Sequence, residues 1–358
     1  MGHRVTLLDF DYDDFFSHAE SAKWLEESRG KFSEALWQAF SNENVRERFD
    51  FAFFYICDGF IDPEVIRSIR KEMVPIFNYS CNNIHQFHLV DKISRLIDCN
   101  VFAEEGAAEK FAAIGVPAVQ MQMAADPAFY TPNGAEYRYN VSFVGQRYAN
   151  RGALISRLVR SGIEVDVFGP RWQSNGETVG NASLSERIDK LVTMVRETGL
   201  RSAALFALGK VGKKLIDLRE DRLISSNSHG ILTDEAMVCV FAESRINLGF
   251  ANVYRNGNEW SAPMSHLRLR DFEVPMTGGF YLTQYTEEIE RYFKVGLEIE
   301  CYKSDDELID KCRYYLRHPS EREKIRRAGL ARSLACHTWE HRFTKLLSEP
   351  TITSLLDR

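Results

Sequence analysis

Short, nearly continuous apolar runs alternate with longer stretches of helical spacing along most of the chain. Val5 to Phe10 reads as a first strand, and an acidic, aromatic loop after it (Asp9, Asp11, Tyr12, Asp13, Asp14) leads into helical patterns up to about Phe40. Phe51 to Cys57 is almost wholly apolar, as in a strand buried on both faces of a parallel sheet, and it stops at Asp58-Gly59. Pro63 and Glu64 then open a helix. Val74 to Tyr79 is another strand, followed by a helix through Leu96, and Asn100 to Ala103, Glu105 to Ile114 and Val116 to Met123 complete a βαβ alternation. The pattern predicts a doubly wound parallel sheet, whose ligands sit beyond the carboxyl ends of the strands. Asp9, Asp58, Asn78, Ser80, Asn82, Asn83, His85, Glu104 and Glu105 all fall just after predicted strands, so they would rim one crevice. Each is also a residue type that caps helices or forms turns.

Ala124 to Arg138 is rich in proline, glycine and small residues, lacks periodicity, and reads as a linker between domains. Past it, Tyr139 to Val144 is a strand, Gly145 a turn, and Gln146 to Arg151 a loop feeding a helix over Ala153 to Arg160. A strand, a glycine turn and a helix N-terminus make an anion site, because backbone N–H groups point outward and the dipole favours negative charge. Arg147 and Arg151 would supply the counter-charge for a diphosphate. Ile163 to Phe168 is the next strand, running into Gly169-Pro170-Arg171-Trp172.

Ser185 to Arg196 and Arg201 to Arg222 read as helices. In the second, Arg201, Lys210, Lys213, Lys214, Arg219 and Arg222 are interleaved with leucines and valine, a basic amphipathic pattern that suits peripheral contact with an anionic membrane. A helix covering the sheet or docking a partner subunit has the same pattern. Asp234 to Glu243 is a helix, Ile246 to Phe250 a strand, and Asn252 to Trp260 a polar loop. The chain is organised around the stretch from Ser265 to Glu298. Leu267, Leu269, Phe272 and Met276 mark a helix, Gly278-Gly279 ends it, and Phe280-Tyr281-Leu282 is a buried strand. Arg268, Arg270 and Glu273 crowd the helical side of this break, cations and a carboxylate suited to the phosphates and a hydroxyl of a phosphorylated sugar. Glu298 to Tyr302 is a short strand, Asp305 to Leu316 a helix, and Ser320 with Glu323 a capping box for the last long helix.

Composition narrows the function. A length of 358 residues suits two domains, and 44% hydrophobic with 27% charged residues is ordinary for a globular protein. The formal charge of −6 argues against a general nucleic-acid binder, so none is expected as a partner. No apolar stretch is long enough to span a bilayer, and the acidic start is unlike a secretory signal, which gives an expectation of a cytoplasmic protein. The seven cysteines include no CxxC pair and the nine histidines no HExxH, so neither disulfides nor a metal is expected.

The run R-x-F-E-V-x-x-x-G-G-F-x-L-T-x-Y from Arg270 to Tyr285 resembles the C-terminal motif of the CgeB-like (spore-maturation type) glycosyltransferases, a branch of the GT-B nucleotide-sugar transferases. The likeness extends to Phe293, Gly296 and Glu298, to Asp306-Glu307-Leu308, to Tyr314-Tyr315-Leu316, and to His337-Thr338-Trp339 with Arg342. Upstream it takes in Val141 to Gly145 with Arg147 and Asn150-Arg151, and Phe168 to Trp172. It is thin before Tyr139 and absent over about Gln173 to Ser226.

The resemblance implies an α/β fold of two Rossmann-like doubly wound domains (GT-B) with a cleft between them. Residues 1–127 would be an N-terminal acceptor domain. Residues 128–332 would be a C-terminal nucleotide-sugar domain with a helical insertion at 173–226, and 333–358 a helix crossing back to the first domain. It further implies a metal-independent, retaining glycosyltransferase that needs no cofactor, with a nucleotide-diphosphate sugar as donor and a glycan, lipid-linked or small-molecule acceptor. The donor residues would be Gly145, Arg147, Arg151, His229, Gly230, Arg268, Arg270, Glu273, Gly278 and Gly279, with His229-Gly230 at the nucleobase. Glu273 aligns with the second glutamate of an E-x7-E motif, which holds the ribose hydroxyls. The first glutamate of that motif falls at Ser265, a departure that removes the sugar-side carboxylate. An inverting route would instead need a base from the first domain, Asp9, Asp58 or His85. The competing class is a non-catalytic sugar- or nucleotide-binding subunit, or a GT-B-fold sugar-nucleotide epimerase that hydrolyses its substrate.

Overall fold

The computed structural model describes residues 2–8, 10, 22–132, 134, 136–172, 222–253 and 263–357. The chain divides into two compact units, Met1–Ala124 with His337–Arg358, and Ala125–Cys336.

The first unit is built on four parallel strands in the order β1-β2-β3-β4: β1 (Ala52–Phe54), β2 (Ile76–Ser80), β3 (Cys99–Phe102) and β4 (Ala118–Gln120). Every residue of β2 and β3 is buried, as their apolar runs require of central strands covered on both faces. One layer of core joins Phe32, Leu36 and Phe40 of α1 (Ala22–Arg46) to Ile66 and Ile69 of α2 (Pro63–Lys71). Asp62 caps α2 by accepting from the Glu64 N–H at 2.9 Å, with Pro63 in the first turn. On the other face, Phe77, Tyr79 and Val101 meet Leu346 and Ile352 of the C-terminal helices, with Trp339 and Phe343 packed alongside. The His337-Thr338-Trp339 motif starts that segment. Arg342 fixes it by donating to the carbonyls of Gln122 (3.0 Å) and Met123 (3.2 Å).

Two sequence expectations need correction here. Residues 2–8 and 10 form no strand: Leu8 and Phe10 pack against the α1–α2 core, while Val5 and Leu7 are exposed. The helix expected through Leu96 breaks into α3 (Asn83–Gln86) and two short 3-10 turns, because Gln86 (φ −116°) and Val90 (φ −132°) leave helical geometry and Asp58 caps the second turn.

The second unit holds five parallel strands in the order β11-β10-β7-β5-β6: β5 (Tyr139–Val144), β6 (Asp166–Phe168), β7 (Ser244–Leu248), β10 (Tyr281–Gln284) and β11 (Glu300–Tyr302). A small antiparallel pair, β8 (Asn252–Val253) and β9 (Met264–Ser265), lies outside this sheet. From β5 the chain winds first to β6 on one side and then to β7, β10 and β11 on the other, so the direction of winding reverses between β5 and β7. Val141 pairs with Ile246 and Ser142 with Asn247 across that junction. In open α/β sheets ligands bind outside the carboxyl ends of the strands at such a switch point.

Connecting helices are α4 (Ala108–Ala113) in the first unit, and α5 (Arg151–Arg160), α6 (Asp234–Glu243), α7 (Arg270–Met276), α8 (Asp305–Arg317) and α9 (Pro319–Cys336) in the second. Thr233 caps α6 and Ser304 caps α8. The capping box expected at Ser320 and Glu323 is not formed. The helix already starts at Pro319, and Glu323 instead accepts from Tyr137 (2.5 Å) and Arg326 (2.9 Å). None of the seven cysteines is in a disulfide. No helix among the described residues is long and apolar enough to cross a membrane. Of the predicted basic helix over 201–222, all but the last residue lies outside the described residues, as do Asp9 and most of the loop after Val253.

Candidate functional site

The loops beyond the carboxyl ends of β5 and β7 bring buried charge together. After Val144 the chain turns at Gly145, where an added Cβ would lie 2.8 Å from the Phe143 ring. The Gly145 carbonyl accepts the Trp172 indole N–H at 2.7 Å, and Ala149 adopts a left-handed φ of 55° before α5 begins. Arg151, first residue of α5, is thereby folded back over the turn. Its guanidinium donates to the Gln146 carbonyl at 2.8 Å and to the Tyr148 hydroxyl at 3.1 Å, and stacks on the Tyr148 ring with Phe143 and Phe250 nearby.

Arg268 reaches the same hydroxyl from the segment before α7, donating to it at 2.7 Å and to the Asn252 carbonyl at 3.4 Å. Two guanidinium groups thus share one phenolic oxygen, and no carboxylate among the described residues pairs with either. The Nε atoms of Arg151 and Arg268 are buried without a hydrogen-bond partner among the described residues. Burial, with the Arg268 charge as a lesser cause, lowers the Arg151 pKa to about 10, so the group stays charged at neutral pH at a cost. Two clustered guanidinium groups beside spare donors have the chemistry that suits a polyanion.

Asp271 props the back of this site. Its carboxylate accepts from the Arg268 N–H, from Thr283 Oγ1 at 3.1 Å and from the Tyr281 hydroxyl. These donors favour the ionised form, but the residue is completely buried and desolvation wins, raising the pKa to about 6. The folded state therefore holds this proton between the ordinary carboxylate pKa and about 6, and stability drains away as pH rises through that window. Acidification from pH 7 to about 4.5 is expected to return on the order of 2–3 kcal/mol from this group. Denaturant melts across that range should show the slope in wild type and its loss in Asp271→Asn, which cannot titrate.

Glu273 is buried, with Oε1 accepting from the Tyr130 phenol and Oε2 from the Arg270 guanidinium. Gly278 ends α7 at φ 72°, and a Cβ on it would meet Arg326 Nη1 at 3.0 Å. On Gly279 a Cβ would meet Asn247 Nδ2 and Val274 at 2.9 Å and the Phe241 carbonyl at 3.0 Å. Both glycines thus let the helix–strand junction settle against its own unit. At the sheet edge Ser228 bridges Val167, and the Gly230 carbonyl accepts from the Gly169 N–H. The His229 ring turns back along β6, stacked on Phe168 at 4.6 Å and bonded to Asp166 at 2.7 Å, while the Gly230 backbone lies beside Gly169 just past the strand's carboxyl end. Arg147 lies over the Trp172 ring at 5.8 Å, on the loop shared with Tyr148.

In the first unit Asp58 accepts from the backbone N–H groups of Ile93 (2.8 Å) and Lys92 (3.3 Å), a capping arrangement. His85 is half-buried on α3, whose backbone is held by Glu104, accepting from the Ile84 N–H at 2.7 Å. Tyr148, Asp271 and Tyr130 are not among the site residues expected from the sequence. Asp271 has a signal there, an acidic residue three positions after Arg268 at a helix start; the two tyrosines have none beyond their place in the linker and the turn.

Residues 201–348 match a family model described as Glycosyl transferase-like. No curated protein matches the sequence. Sucrose-phosphate synthase from Thermosynechococcus elongatus is similar in structure, with a TM-score of 0.53 and 9% identity over 88% of this chain and 76% of that one. Anabaena HepE in complex with UDP and glucose gives 0.51 and 10% identity over 88% and 82%. A glycosyltransferase from Rickettsia africae gives 0.52 and 8% identity over 95% and 84%. At these identities the likeness is one of fold, and the fold is GT-B, two Rossmann-like domains built on parallel sheets.

Proposed function

We propose that this protein is a glycosyltransferase that moves a sugar from a nucleoside-diphosphate sugar to a hydroxyl acceptor, and that Arg151 and Arg268 hold the diphosphate. The observation that carries this reading is the pair of guanidinium groups meeting on Tyr148 at the β5–β7 switch point, neither in a side-chain ion pair with a carboxylate among the described residues. As the bond to the anomeric carbon breaks, negative charge grows on the departing diphosphate. Donors already fixed at that spot stabilise the transition state more than the ground state.

Arg147, on the same loop, is a third cation for this group. The Gly230 backbone is the candidate contact for the nucleobase, and Glu273 for the ribose. HepE, of similar fold, is described in complex with UDP and glucose, which makes uridine diphosphate the first nucleotide to try. On the acceptor side His85 is the remaining base candidate among the described residues, since Asp58 spends its oxygens on a cap. The acceptor class is a glycan, lipid-linked or small-molecule hydroxyl, and residues 201–222 are a candidate membrane contact.

A second reading, a subunit that binds a nucleotide sugar without transferring it, draws on Ser265. Where the E-x7-E motif has its first glutamate, this chain has an exposed serine whose hydroxyl bonds Asn252 Oδ1 at 2.6 Å. Incubation with UDP-, GDP- and ADP-sugars and a panel of hydroxyl acceptors, read by mass spectrometry, separates the two. A glycosylated acceptor plus free nucleoside diphosphate is the expected outcome, and binding of a donor with neither product would favour the second reading.

A further inference from the structure

A carboxylate that is to bind a ligand should have a face to offer, yet Glu273 is 1% exposed and both its oxygens are engaged. Its two partners differ in kind. Arg270 lies one helical turn away on α7, is oppositely charged, and has its guanidinium over the Phe241 ring at 5.5 Å. Its departure would strand a buried anion, which is costly.

Tyr130 is neutral and comes from a self-contained turn at the start of the second unit. Asp126 closes that turn, its carboxylate accepting from the Ala128 N–H at 2.9 Å and its carbonyl from the Phe129 (3.1 Å) and Tyr130 (2.8 Å) N–H groups. Thr131 Oγ1 adds a bond to the Pro127 carbonyl at 2.9 Å. The turn keeps its own hydrogen bonds, so withdrawing the tyrosine from Glu273 gives up the phenol's bond and part of the ring's burial while the turn itself stays intact. Burial and the adjacent carboxylate push the Tyr130 phenol well above its ordinary pKa, so at neutral pH it remains a hydroxyl donor.

From this asymmetry we infer that Tyr130 is a resident occupant of the donor site: its hydroxyl takes the place on Glu273 that a hydroxyl of the bound sugar nucleotide takes over. The exchange is like for like, one O–H donor for another on the same carboxylate oxygen. In the empty site the phenol spares Glu273 the penalty of a buried, half-paired charge. In the filled site it must yield, so each ligand is weighed against it, and a ligand with no hydroxyl at that point cannot replace what it displaces. The inference rests on the donor-site reading above.

Isothermal titration of UDP, GDP and ADP into wild type, Tyr130→Phe and Arg268→Ala tests it. Tyr130→Phe keeps the ring and removes only the competing hydroxyl. Its expected result is tighter nucleotide binding, by roughly tenfold, the scale of one hydrogen bond to a charged group. The empty variant should also melt lower than wild type and show a larger nucleotide-induced rise. Binding to Tyr130→Phe but not to wild type would be the same result in extreme form. Unchanged or weaker binding by Tyr130→Phe, with Arg268→Ala still losing the nucleotide, would overturn the occupant and leave the donor site standing. No binding by wild type or Tyr130→Phe would overturn both.

Discussion

Arg268→Ala is expected to weaken nucleoside-diphosphate binding by roughly 10- to 100-fold, the loss of one charge-assisted contact to a phosphate. The same change should leave the empty protein folded. The Arg268 side chain is half-buried, bonds Tyr148 and Asn252 side by side with Arg151, and carries a charge that opposes that of Arg151 while favouring the ionised Asp271 carboxylate. Removing it relieves a like-charge contact while sacrificing two hydrogen bonds, so the empty melting temperature should move little and the nucleotide-induced rise should nearly vanish. Arg268→Lys is expected to recover only part of the binding, because an ammonium cannot reproduce the two-pronged grip of a guanidinium. Calorimetry at two salt concentrations checks the origin of the loss, since exposed phosphate contacts weaken with salt and a steric artefact does not.

Gly249→Ala is expected to be strongly destabilising, costing about 3 kcal/mol or more. Gly249 follows β7 directly, and a Cβ there would lie 2.3 Å from Thr283 Oγ1 and 2.4 Å from the Tyr281 hydroxyl. Both groups are buried and both donate to Asp271, so pushing them aside breaks hydrogen bonds to a buried carboxylate. The displaced network also carries Arg268, whose backbone N–H binds Asp271, so donor affinity should fall together with stability. Gly59→Ala is the control: its site has no atom within 4 Å of an added Cβ, and urea melts should place it near wild type.

The parallel core could be read from the sequence because strands covered on both faces must be apolar throughout. Ile76–Ser80 and Cys99–Phe102 are buried at every position, with Asn78, Ser80 and Asn100 hydrogen-bonded inside, and in Tyr139–Val144 the central Val141, Ser142 and Phe143 are buried. Where pairing decides, the pattern fails. Val5 to Phe10 alternates well enough for a strand, but Leu8 and Phe10 find their place against α1 without a neighbouring strand to bond. The helix expected to run on to Leu96 is interrupted at Gln86 and Val90, whose backbones leave helical geometry, and Asp58 holds the N–H groups of the turn that follows, none of which leaves a trace in hydrophobic spacing.

The site divides along similar lines. Charged residues near glycine breaks, Arg151, Arg268, Arg270 and Glu273, could be picked out because charge in an apolar setting calls for a partner. The residues that organise them could not. Tyr148 carries no charge and joins two cations only once β5 and β7 are side by side, and Tyr130 lies 143 positions from Glu273. The His229 ring stacks on Phe168 and bonds Asp166 while the carbonyl of the neighbouring Gly230 accepts from Gly169, an arrangement the sequence does not announce. An added Cβ at Gly278 or Gly279 would meet Arg326, Asn247 and Val274, packing that the sequence around the glycine pair does not announce.

Crystals of the protein grown with UDP in the presence of EDTA would address the guanidinium-held diphosphate most directly. Phosphate oxygens within hydrogen-bond distance of both Arg151 and Arg268, next to the Tyr148 hydroxyl, are the predicted result. A diphosphate bound away from Tyr148, or nucleotide that enters only when a divalent cation is restored, would contradict it.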